Sequence, residues 1–345
     1  MLTRIALLAS LLLFASCGRA PRELVLSGPT MGTTYTVKVA GSPQTVDAEA
    51  VRRTIDDVLA LIDTQMSTYR ADSALSRFNA TRSTDWVDVP AEVARVIALG
   101  QEISRRSDGA FDMTVAPLIR VWGFGPSGEP EQLPTDEQLA AIRREVGYSL
   151  LDVREDTPAL RKHTPELTID VNGIAPGYAV DVLAARFAAL GLRDFMIDIG
   201  GEVLARGRNA NGVAWRIAVE RPQDTEPTPY KILELHDESV TTSGEYRHYF
   251  EREGRRYSHT IDPRTGQPIE SHGSVVVVGN SSAAIDAWAT AMNVLGPDAG
   301  VELADREGLA VMYVLAEGST LRARTSAAFE RNVRSVEGER VTDER

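Results

Sequence analysis

The chain has 345 residues, of which 43% are hydrophobic and 25% charged, so its composition is that of an ordinary globular protein. Its 37 basic and 49 acidic side chains give a formal net charge of −12, which repels a phosphate backbone and argues against nucleic-acid binding. The single cysteine excludes an internal disulfide and a multi-cysteine metal site.

The first segment has the pattern of a bacterial lipoprotein signal. Arg4 precedes an apolar run, Ile5–Phe14, that is too short to span a bilayer as a helix. The run ends in a Phe-Ala-Ser-Cys-Gly sequence that resembles a lipobox, whose cysteine is lipidated and becomes the new N-terminus. We therefore expect a signal peptide over residues 1–16, lipidation at Cys17 and a tether over residues 17–22. The alternative is an ordinary cleaved signal with an incidental cysteine.

Helices are predicted to dominate the next part of the chain. Strand-like runs within Glu23–Val39 flank a turn-rich Gly28–Gly32 segment. Beyond them, apolar residues recur three and four positions apart, which is typical of amphipathic helices. The predicted helices are Val46–Met66 with its start near Asp47, a second helix from Pro90 to the region of Gly109, and Asp136–Val146.

Strands follow one another in the second half. The predicted strands are Leu167–Val171, Phe195–Ile199, Val203–Ala205, Val213–Val219, Ile232–Leu235, Tyr246–Phe250, Arg256–Ile261, Val275–Val278 and Leu309–Leu315. Helices over Ala179–Leu190 and Ser281–Leu295 interrupt them. This order predicts an α+β fold in which helices pack on an antiparallel-rich sheet and a helical insert occupies the first half. Residues 336–345 form a polar tail.

Asp286 and Thr290 are four residues apart in an alanine-rich helix, so both side chains lie on one helix face. Carboxylate and hydroxyl oxygens are ligands of Mg²⁺, which often also binds substrate phosphates. The spacing alone also fits a solvated aspartate beside a threonine bonded to a backbone carbonyl, and by itself it favours that interpretation over a metal site.

Two glycine-containing junctions follow predicted strands. Asp170–Gly177 joins a strand to a helix and would present backbone N–H groups to an anion. It is neither a Walker A loop nor the three-glycine dinucleotide fingerprint. Asp198–Glu202 is a second such junction. Each junction alone also fits a simple turn.

Several loops combine aromatic, hydroxyl and basic side chains. His259 ends a predicted strand before an Asp-Pro turn, where it suits a proton acceptor or a stacking partner for an aromatic ligand. Thr241–Tyr246 is predicted to be a hydroxyl-rich turn. Gln65–Asn79 combines an aromatic side chain, two arginines and several hydroxyls past a helix end, and the stretches Gly109–Thr114 and Val121–Gly125 are aromatic and turn-rich. Each loop alone fits core or loop structure, but together they suggest an extended ligand with an aromatic end and a phosphorylated end.

The order of these motifs along the chain resembles that of the FAD:protein FMN transferase (ApbE-like) family. The matching segments are Met31–Tyr35, Met66–Asn79, Gly109–Asp112, Gly173–Asp181, Ile199–Glu202, Ser243–Tyr246, His259–Gly266 and Asp286–Thr290. The resemblance covers about residues 28–330, and a lipoprotein signal also fits the family. It implies one T-fold-like, FAD-binding domain over residues 23–335. It also implies Mg²⁺-dependent transfer of FMN to a Thr or Ser of another protein, with release of AMP.

The resemblance assigns roles by position. The expected FAD contacts are Met31, Tyr69, Ala110, Phe111, Asp112, Asp170, Pro176, His259, Thr260 and Ile261. The expected metal ligands are Asp286, Thr290 and the backbone carbonyl of Gly173, and His259 and Asp286 are the candidate proton acceptors. Pro176 stands where the family commonly has Lys, and Asn172 stands where a small residue is frequent. Either another group supplies the cation, or FAD affinity or turnover is reduced.

Three functions remain open on the sequence. They are the flavin transferase, an FAD pyrophosphatase that gives FMN and AMP with water as the acceptor, and a non-catalytic flavin-binding lipoprotein. The Asp286–Thr290 pair favours catalysis, whereas Pro176 favours storage. The expected partners are FAD, a flavin-accepting membrane redox protein and, through the lipid, the membrane of the cell envelope on its periplasmic side.

Overall fold

The computed structural model describes residues 23–41, 46–124, 130, 132–222, 228–244, 249–252, 254–270, 273–317 and 320–336. The expected signal peptide, Cys17, the tether, and all but the first residue of the expected tail lie outside these ranges. Within them, no helix combines the length and the apolar character that crossing a bilayer requires.

The described elements alternate between helix-rich and strand-rich parts of the chain. The helices are α1 (Ala48–Met66), α2 (Ala74–Ala80), α3 (Ala91–Arg106), α4 (Ala116–Val121), α5 (Asp136–Ile142), α6 (Ala175–Ala189), α7 (Ser282–Glu307) and α8 (Ala327–Asn332). The strands are β1 (Glu23–Thr30), β2 (Thr33–Ala40), β3 (Val87–Asp88), β4 (Leu151–Arg154), β5 (Ala159–Lys162), β6 (Phe195–Ile199), β7 (Glu202–Arg206), β8 (Trp215–Glu220), β9 (Pro229–Leu235), β10 (Ser239–Gly244), β11 (Tyr249–Arg252), β12 (Arg255–Ser258), β13 (Ile261–Asp262), β14 (Gln267–Pro268), β15 (Ser274–Gly279), β16 (Ala310–Glu317), β17 (Thr320–Thr325) and β18 (Arg334–Val336).

An eight-stranded sheet organises the fold. Its spatial order is β1-β2-β6-β7-β10-β15-β16-β17, and every neighbouring pair is antiparallel. Smaller sheets combine β3 with β5 and β4, and β18 with β9 and β8, while β11-β12 and β13-β14 are two-stranded. The predicted α+β architecture with an antiparallel-rich sheet is therefore confirmed.

Both faces of the large sheet are covered, and β15 shows why its sequence is continuously apolar. Val275 and Val277 are fully buried in the main core, where α1, α3, α6 and α7 also place their apolar faces. Val276 and Val278 point to the opposite face and pack in a second core with β8, β9 and α8. Successive side chains of a strand alternate between faces, so a strand covered on both sides has no polar face.

Helix starts in the described part follow local capping chemistry. Asp47 caps α1 by accepting hydrogen bonds from the backbone N–H groups of Glu49 and Ala50, each at 3.0 Å, which confirms the predicted start. α3 begins directly after Pro90, also as predicted. α6 begins at Ala175, four residues before the predicted start, because Pro176 fits the first helical turn.

Other boundaries differ from the sequence-based expectations. Thr241–Tyr246 was predicted to be a turn, but its described part belongs to β10, between β7 and β15. α7 continues to Glu307 across a kink at Gly296, where φ is 72°, instead of ending at Leu295. Leu167–Val171 was predicted to be a strand, but it is extended without joining a sheet.

Candidate active site

A cavity of about 270 Å³, here called the Asp286 cavity, gathers most of the residues assigned by the sequence. The assigned residues that line it are Ala110, Phe111, Asp112, Asp170, Gly173, His259, Thr260, Ile261, Asp286 and Thr290. They come from four separate segments of the chain, so the fold brings together motifs that lie far apart in the sequence.

A second cavity of about 270 Å³, here called the Tyr69 cavity, adjoins the first. Tyr69 lies on its wall with 73% of its surface exposed. Ile119, Asp170 and Asn172 line both cavities, so the two form one extended depression. This shape suits a long ligand with chemically different ends.

Two assigned FAD contacts, Met31 and Pro176, line neither of these cavities. Met31 sits in the turn between β1 and β2 with a positive φ of 45°, and Pro176 sits in the first turn of α6. Their assignment as FAD contacts remains a prediction.

The N-terminus of α7 is fastened to α6 by one carboxylate. Asp181 accepts hydrogen bonds from Ser281 Oγ at 2.9 Å, from the Ser282 N–H at 2.8 Å and from the Ala283 N–H at 3.0 Å. These donors are groups that a helix start leaves unsatisfied. Asp181 therefore sets the position of α7, and with it the positions of Asp286 and Thr290.

Asp286 is only 5% exposed and lies against the start of α6. The Gly177 N–H donates to Asp286 Oδ2 at 3.1 Å. A Cβ at Gly177 would lie 2.4 Å from the Ser282 carbonyl oxygen, so the absence of a side chain permits this helix contact. Burial raises the pKa of Asp286 to about 7.

Thr290 and Gly173, the other assigned metal ligands, are in close contact. A Cβ at Gly173 would lie 2.9 Å from Thr290 Oγ1 and 3.3 Å from Phe111 Cε2. Because glycine has no side chain, the backbone at Gly173 can lie close to the Thr290 hydroxyl. The backbone segment that carries the Gly173 carbonyl and this hydroxyl therefore lie in the same part of the cavity.

Glu202 also belongs to the site, although no role was assigned to it from the sequence. It begins β7, lines the Asp286 cavity and lies within electrostatic reach of Asp286. Burial first, and then the negative charges of Asp286 and Asp198, raise the pKa of Glu202 well above its usual range. Glu202 belongs to the Ile199–Glu202 motif, which drew attention to this stretch of the sequence. The motif did not show which way the carboxyl group of Glu202 points.

Two oxygens in the Asp286 cavity have unused hydrogen-bonding capacity. Among the described atoms, Glu202 Oε2 and Thr241 Oγ1 are buried without a hydrogen-bond partner. Thr241 is 2% exposed and lies on β10, beside β7. Buried polar atoms normally have partners, so these two oxygens indicate a place for a bound group.

The assigned metal ligands fit a hard cation. Over the described ranges, no group of three His, Cys, Asp or Glu side chains is placed to hold a metal ion. The expected set of Asp286, Thr290 and the Gly173 carbonyl is of another kind, because it contains a single carboxylate with a hydroxyl and a carbonyl. Such oxygen sets, completed by water and substrate phosphate, suit Mg²⁺, and the unpartnered Glu202 oxygen is compatible with a cation nearby.

Asp112 forms part of the cavity wall with its oxygens already engaged. It accepts hydrogen bonds from the Thr114 N–H at 2.8 Å, Thr114 Oγ1 at 2.7 Å and the Tyr148 N–H at 2.7 Å. Burial raises the pKa of Asp112, and these donors oppose the rise. The carboxylate therefore joins two loops and shapes the wall.

The extended segment 167–171 is held by side chains instead of a neighbouring strand. Asn79 Nδ2 donates to the Ile169 carbonyl and the Ile169 N–H donates to Asn79 Oδ1, both at 2.8 Å. The fully buried Lys162 donates from Nζ to the carbonyls of Leu167 at 3.0 Å and Thr81 at 2.8 Å. This arrangement delivers Asp170 to both cavities.

His259 reaches the Asp286 cavity from the connection between β12 and β13. Its ring lies edge-on to Phe124, with 6.4 Å between ring centroids. The Ile269 N–H donates to the Thr260 carbonyl at 3.0 Å, which fixes the backbone beside the histidine. A histidine in this position can exchange a proton with a bound ligand near neutral pH.

Comparisons with known proteins show which family the chain resembles. The profile of the ApbE family matches residues 31–313. A Vibrio cholerae relative named FAD:protein FMN transferase is 40% identical over 324 residues, which cover 94% of this chain and 96% of the relative. An Escherichia coli K12 protein of the same name is 37% identical, over 95% of this chain and 96% of its own length.

Solved structures share the fold. The flavin transferase ApbE from Vibrio cholerae aligns with a TM-score of 0.83 and 38% identity, over 90% of this chain and 99% of that one. The apo form of Pseudomonas stutzeri flavinyl transferase ApbE aligns with a TM-score of 0.82 and 42% identity, over 90% and 96%. Because the family profile and these relatives span nearly the whole chain, the chain belongs to the ApbE family.

Proposed function

We infer that this chain is an FAD:protein FMN transferase, which moves FMN from FAD to a Thr or Ser hydroxyl of an acceptor protein. The observation that carries this inference is the Asp286 cavity, which collects ten residues assigned from the family pattern. The names of the full-length relatives from Vibrio cholerae and Escherichia coli support the same activity.

The reaction exchanges one phosphoester partner for another. The acceptor oxygen forms a bond to the phosphorus of the FMN half, and the bond from that phosphorus to the bridging oxygen breaks. AMP leaves with the bridging oxygen, and the acceptor's proton passes to a base. Catalysis of such a transfer depends mainly on positioning the reactants and stabilising charge on the phosphoryl oxygens.

The assigned ligands Asp286, Thr290 and the Gly173 carbonyl would hold Mg²⁺. When bound, this ion would offset the negative charge that develops on the pyrophosphate oxygens. Asp181 and Gly177 hold these ligands in place by fixing α7 against α6. The buried oxygens of Glu202 and Thr241 face the same space and complete its polar surface.

His259 is the proposed proton acceptor. It lines the cavity from the short connection between β12 and β13, whose Thr260 carbonyl accepts a hydrogen bond from the Ile269 N–H. A positioned general base contributes roughly 10²–10⁴ to a rate. The aromatic and apolar walls, including Phe111 and Ile261, suit the flat ring of a flavin.

A labelling assay tests this function. Purified protein is incubated with FAD, Mg²⁺ and a soluble flavin-accepting domain, and intact-protein mass spectrometry follows the acceptor. We expect a mass gain of one FMN per acceptor and release of AMP. Free FMN with AMP and an unlabelled acceptor would identify an FAD pyrophosphatase, whereas FAD recovered intact would show that the chain only binds the flavin.

We propose in addition that the chain is a lipoprotein anchored through Cys17 to an envelope membrane and facing the periplasm. The pattern of Arg4, the apolar run and the lipobox-like sequence supports this location. A membrane redox protein is then the proposed acceptor, because the anchor would keep both proteins at the same surface.

A further inference from the structure

The two adjoining cavities have an unbalanced set of charged side chains. Their walls carry the carboxyl groups of Asp112, Asp170, Glu202 and Asp286. Among the described residues that line either cavity, Arg120 is the single arginine or lysine. A ligand with phosphate groups therefore meets mostly acidic walls, and Arg120 is the protein's own permanent cation there.

Arg120 is held in place but its guanidinium is almost unused. It lies near the end of α4, directly after Ile119, which lines both cavities. Its hydrogen bond to Thr168 Oγ1 is long, at 3.4 Å, and no second protein partner is seen in the described ranges. By contrast, Arg161 donates from Nε to Asp152 at 2.9 Å.

The charge of Arg120 acts at the junction between the cavities. It lowers the pKa of Asp170, opposing the rise that burial causes, so the guanidinium lies within electrostatic reach of that carboxyl. Asp170 lines both cavities. Arg120 lines the Tyr69 cavity beside the residues that both cavities share, so it is placed next to a ligand that spans the two.

We propose that Arg120 binds the phosphate-bearing part of the dinucleotide substrate at this junction and so contributes to FAD affinity. The inference rests on the proposed function for the identity of the dinucleotide. A guanidinium has five N–H donors, and its paired geometry matches phosphate oxygens. Such a contact would offset the electrostatic repulsion between the acidic walls and the pyrophosphate.

Flavin binding to the full chain tests the proposal. Flavin fluorescence is titrated with Mg²⁺ present and acceptor absent, with product analysis to verify that FAD stays intact. We compare FAD with riboflavin, which has no phosphate, for wild type, Arg120→Gln and Arg120→Lys. Arg216→Gln is the matched control, because Arg216 is an exposed arginine on β8 that pairs with Glu234 at 3.0 Å.

We expect Arg120→Gln to raise the Kd for FAD roughly tenfold and to change the Kd for riboflavin less than about twofold. Arg120→Lys keeps the charge but loses the paired geometry, so its Kd should be intermediate. The FAD affinity of wild type should fall more steeply with added salt than that of Arg120→Gln. Arg216→Gln should behave as wild type.

Three results would overturn the proposal: an unchanged FAD affinity in Arg120→Gln, an equal loss of riboflavin affinity, or the same salt dependence in both proteins. If Arg120→Gln fails to fold, two other results would overturn the proposal. One is that wild type binds riboflavin as tightly as FAD. The other is that Arg120→Lys binds FAD as tightly as wild type does and that this affinity does not depend on salt. A failure of the proposed function is recognised separately, because wild type would then leave the acceptor unlabelled.

Discussion

Asp286 is a carboxylate that the fold buries at a free-energy cost. It is 5% exposed, and burial raises its pKa from 3.8 to about 7. A carboxyl whose pKa rises on folding holds its proton more tightly in the folded state, so ionisation opposes folding. This free-energy penalty is absent at a pH below the pKa of Asp286 in the unfolded state. It is complete at a pH above the pKa of Asp286 in the folded state. A bound cation would remove the penalty.

The substitution Asp286→Asn should therefore stabilise the metal-free protein while it abolishes transfer. We expect its advantage over wild type in free energy of unfolding to be negligible near pH 4. It should grow to the order of 2–4 kcal/mol by pH 8. Thermal unfolding in EDTA across this pH range measures it. Adding Mg²⁺ should stabilise wild type and leave the variant unchanged, whereas equal responses to Mg²⁺ would refute the metal assignment.

Gly173 limits how Thr290 can be oriented. In Gly173→Ala the new Cβ would lie 2.9 Å from Thr290 Oγ1, so the hydroxyl must move. We expect the Mg²⁺ concentration for half-maximal activity to rise roughly ten- to hundredfold, as for other displaced metal-site groups. The double variant Gly173→Ala/Thr290→Ser should recover part of this loss, because serine lacks the methyl group and rotates more freely. No recovery together with an unchanged metal requirement would count against the shared site.

At the level of elements, segment 167–171 shows where sequence patterns stop being informative. Its apolar residues are typical of a strand, and it is extended, but its partner is the side-chain amide of Asn79 instead of another strand. Hydrophobic periodicity does not distinguish these partners, because both leave the backbone extended and the apolar side chains buried.

The same limit applies to β10. The hydroxyl-rich run Thr241–Ser243 has the composition of a turn, yet β7 and β15 pair with this strand on either side. The sequence therefore predicted the positions of the motifs and most cavity residues, but not that Thr241 would face Glu202 in the cavity wall. The alternation of side chains between the two faces of a sheet can be used to predict which residues share a face only once the segment is known to be a strand.

Removing the Asn79 amide should affect both stability and substrate binding. Asn79→Ala deletes two hydrogen bonds to Ile169, which should cost about 1–3 kcal/mol and loosen the segment that carries Asp170. We expect the KM for FAD to rise several-fold in the folded protein at 20 °C.

Ser326→Ala is the matched control for the Asn79 experiment. Ser326 is fully buried and, like Asn79, bridges a distant backbone segment, accepting from the Val311 N–H at 3.0 Å and donating to the Leu309 carbonyl at 2.6 Å. It should lower stability comparably and leave the KM for FAD unchanged. The two variants are compared at equal loss of stability. If both raise the KM for FAD, or if neither does, segment 167–171 has no specific role in positioning the substrate.

For the whole molecule, the net charge bears on the proposed membrane anchor. The chain carries a formal net charge of −12, which an anionic membrane surface repels. The proposed membrane attachment would then come from acyl chains at Cys17 and not from a basic surface. Only five residues lie between Cys17 and Glu23, where β1 begins, so an anchored domain would start within about 20 Å of the membrane.

This reasoning predicts how the protein fractionates. Wild type should take up radiolabelled palmitate and should remain with membranes in 1 M salt, because its attachment is apolar, and detergent should release it. Cys17→Ser should lose the label and appear in the soluble fraction, yet it should flavinylate a soluble acceptor domain as fast as wild type does. Labelling of a membrane-embedded acceptor should fall, because the anchor no longer raises the local enzyme concentration. Release of wild type by salt, or membrane retention of Cys17→Ser, would show that another part of the chain makes the attachment.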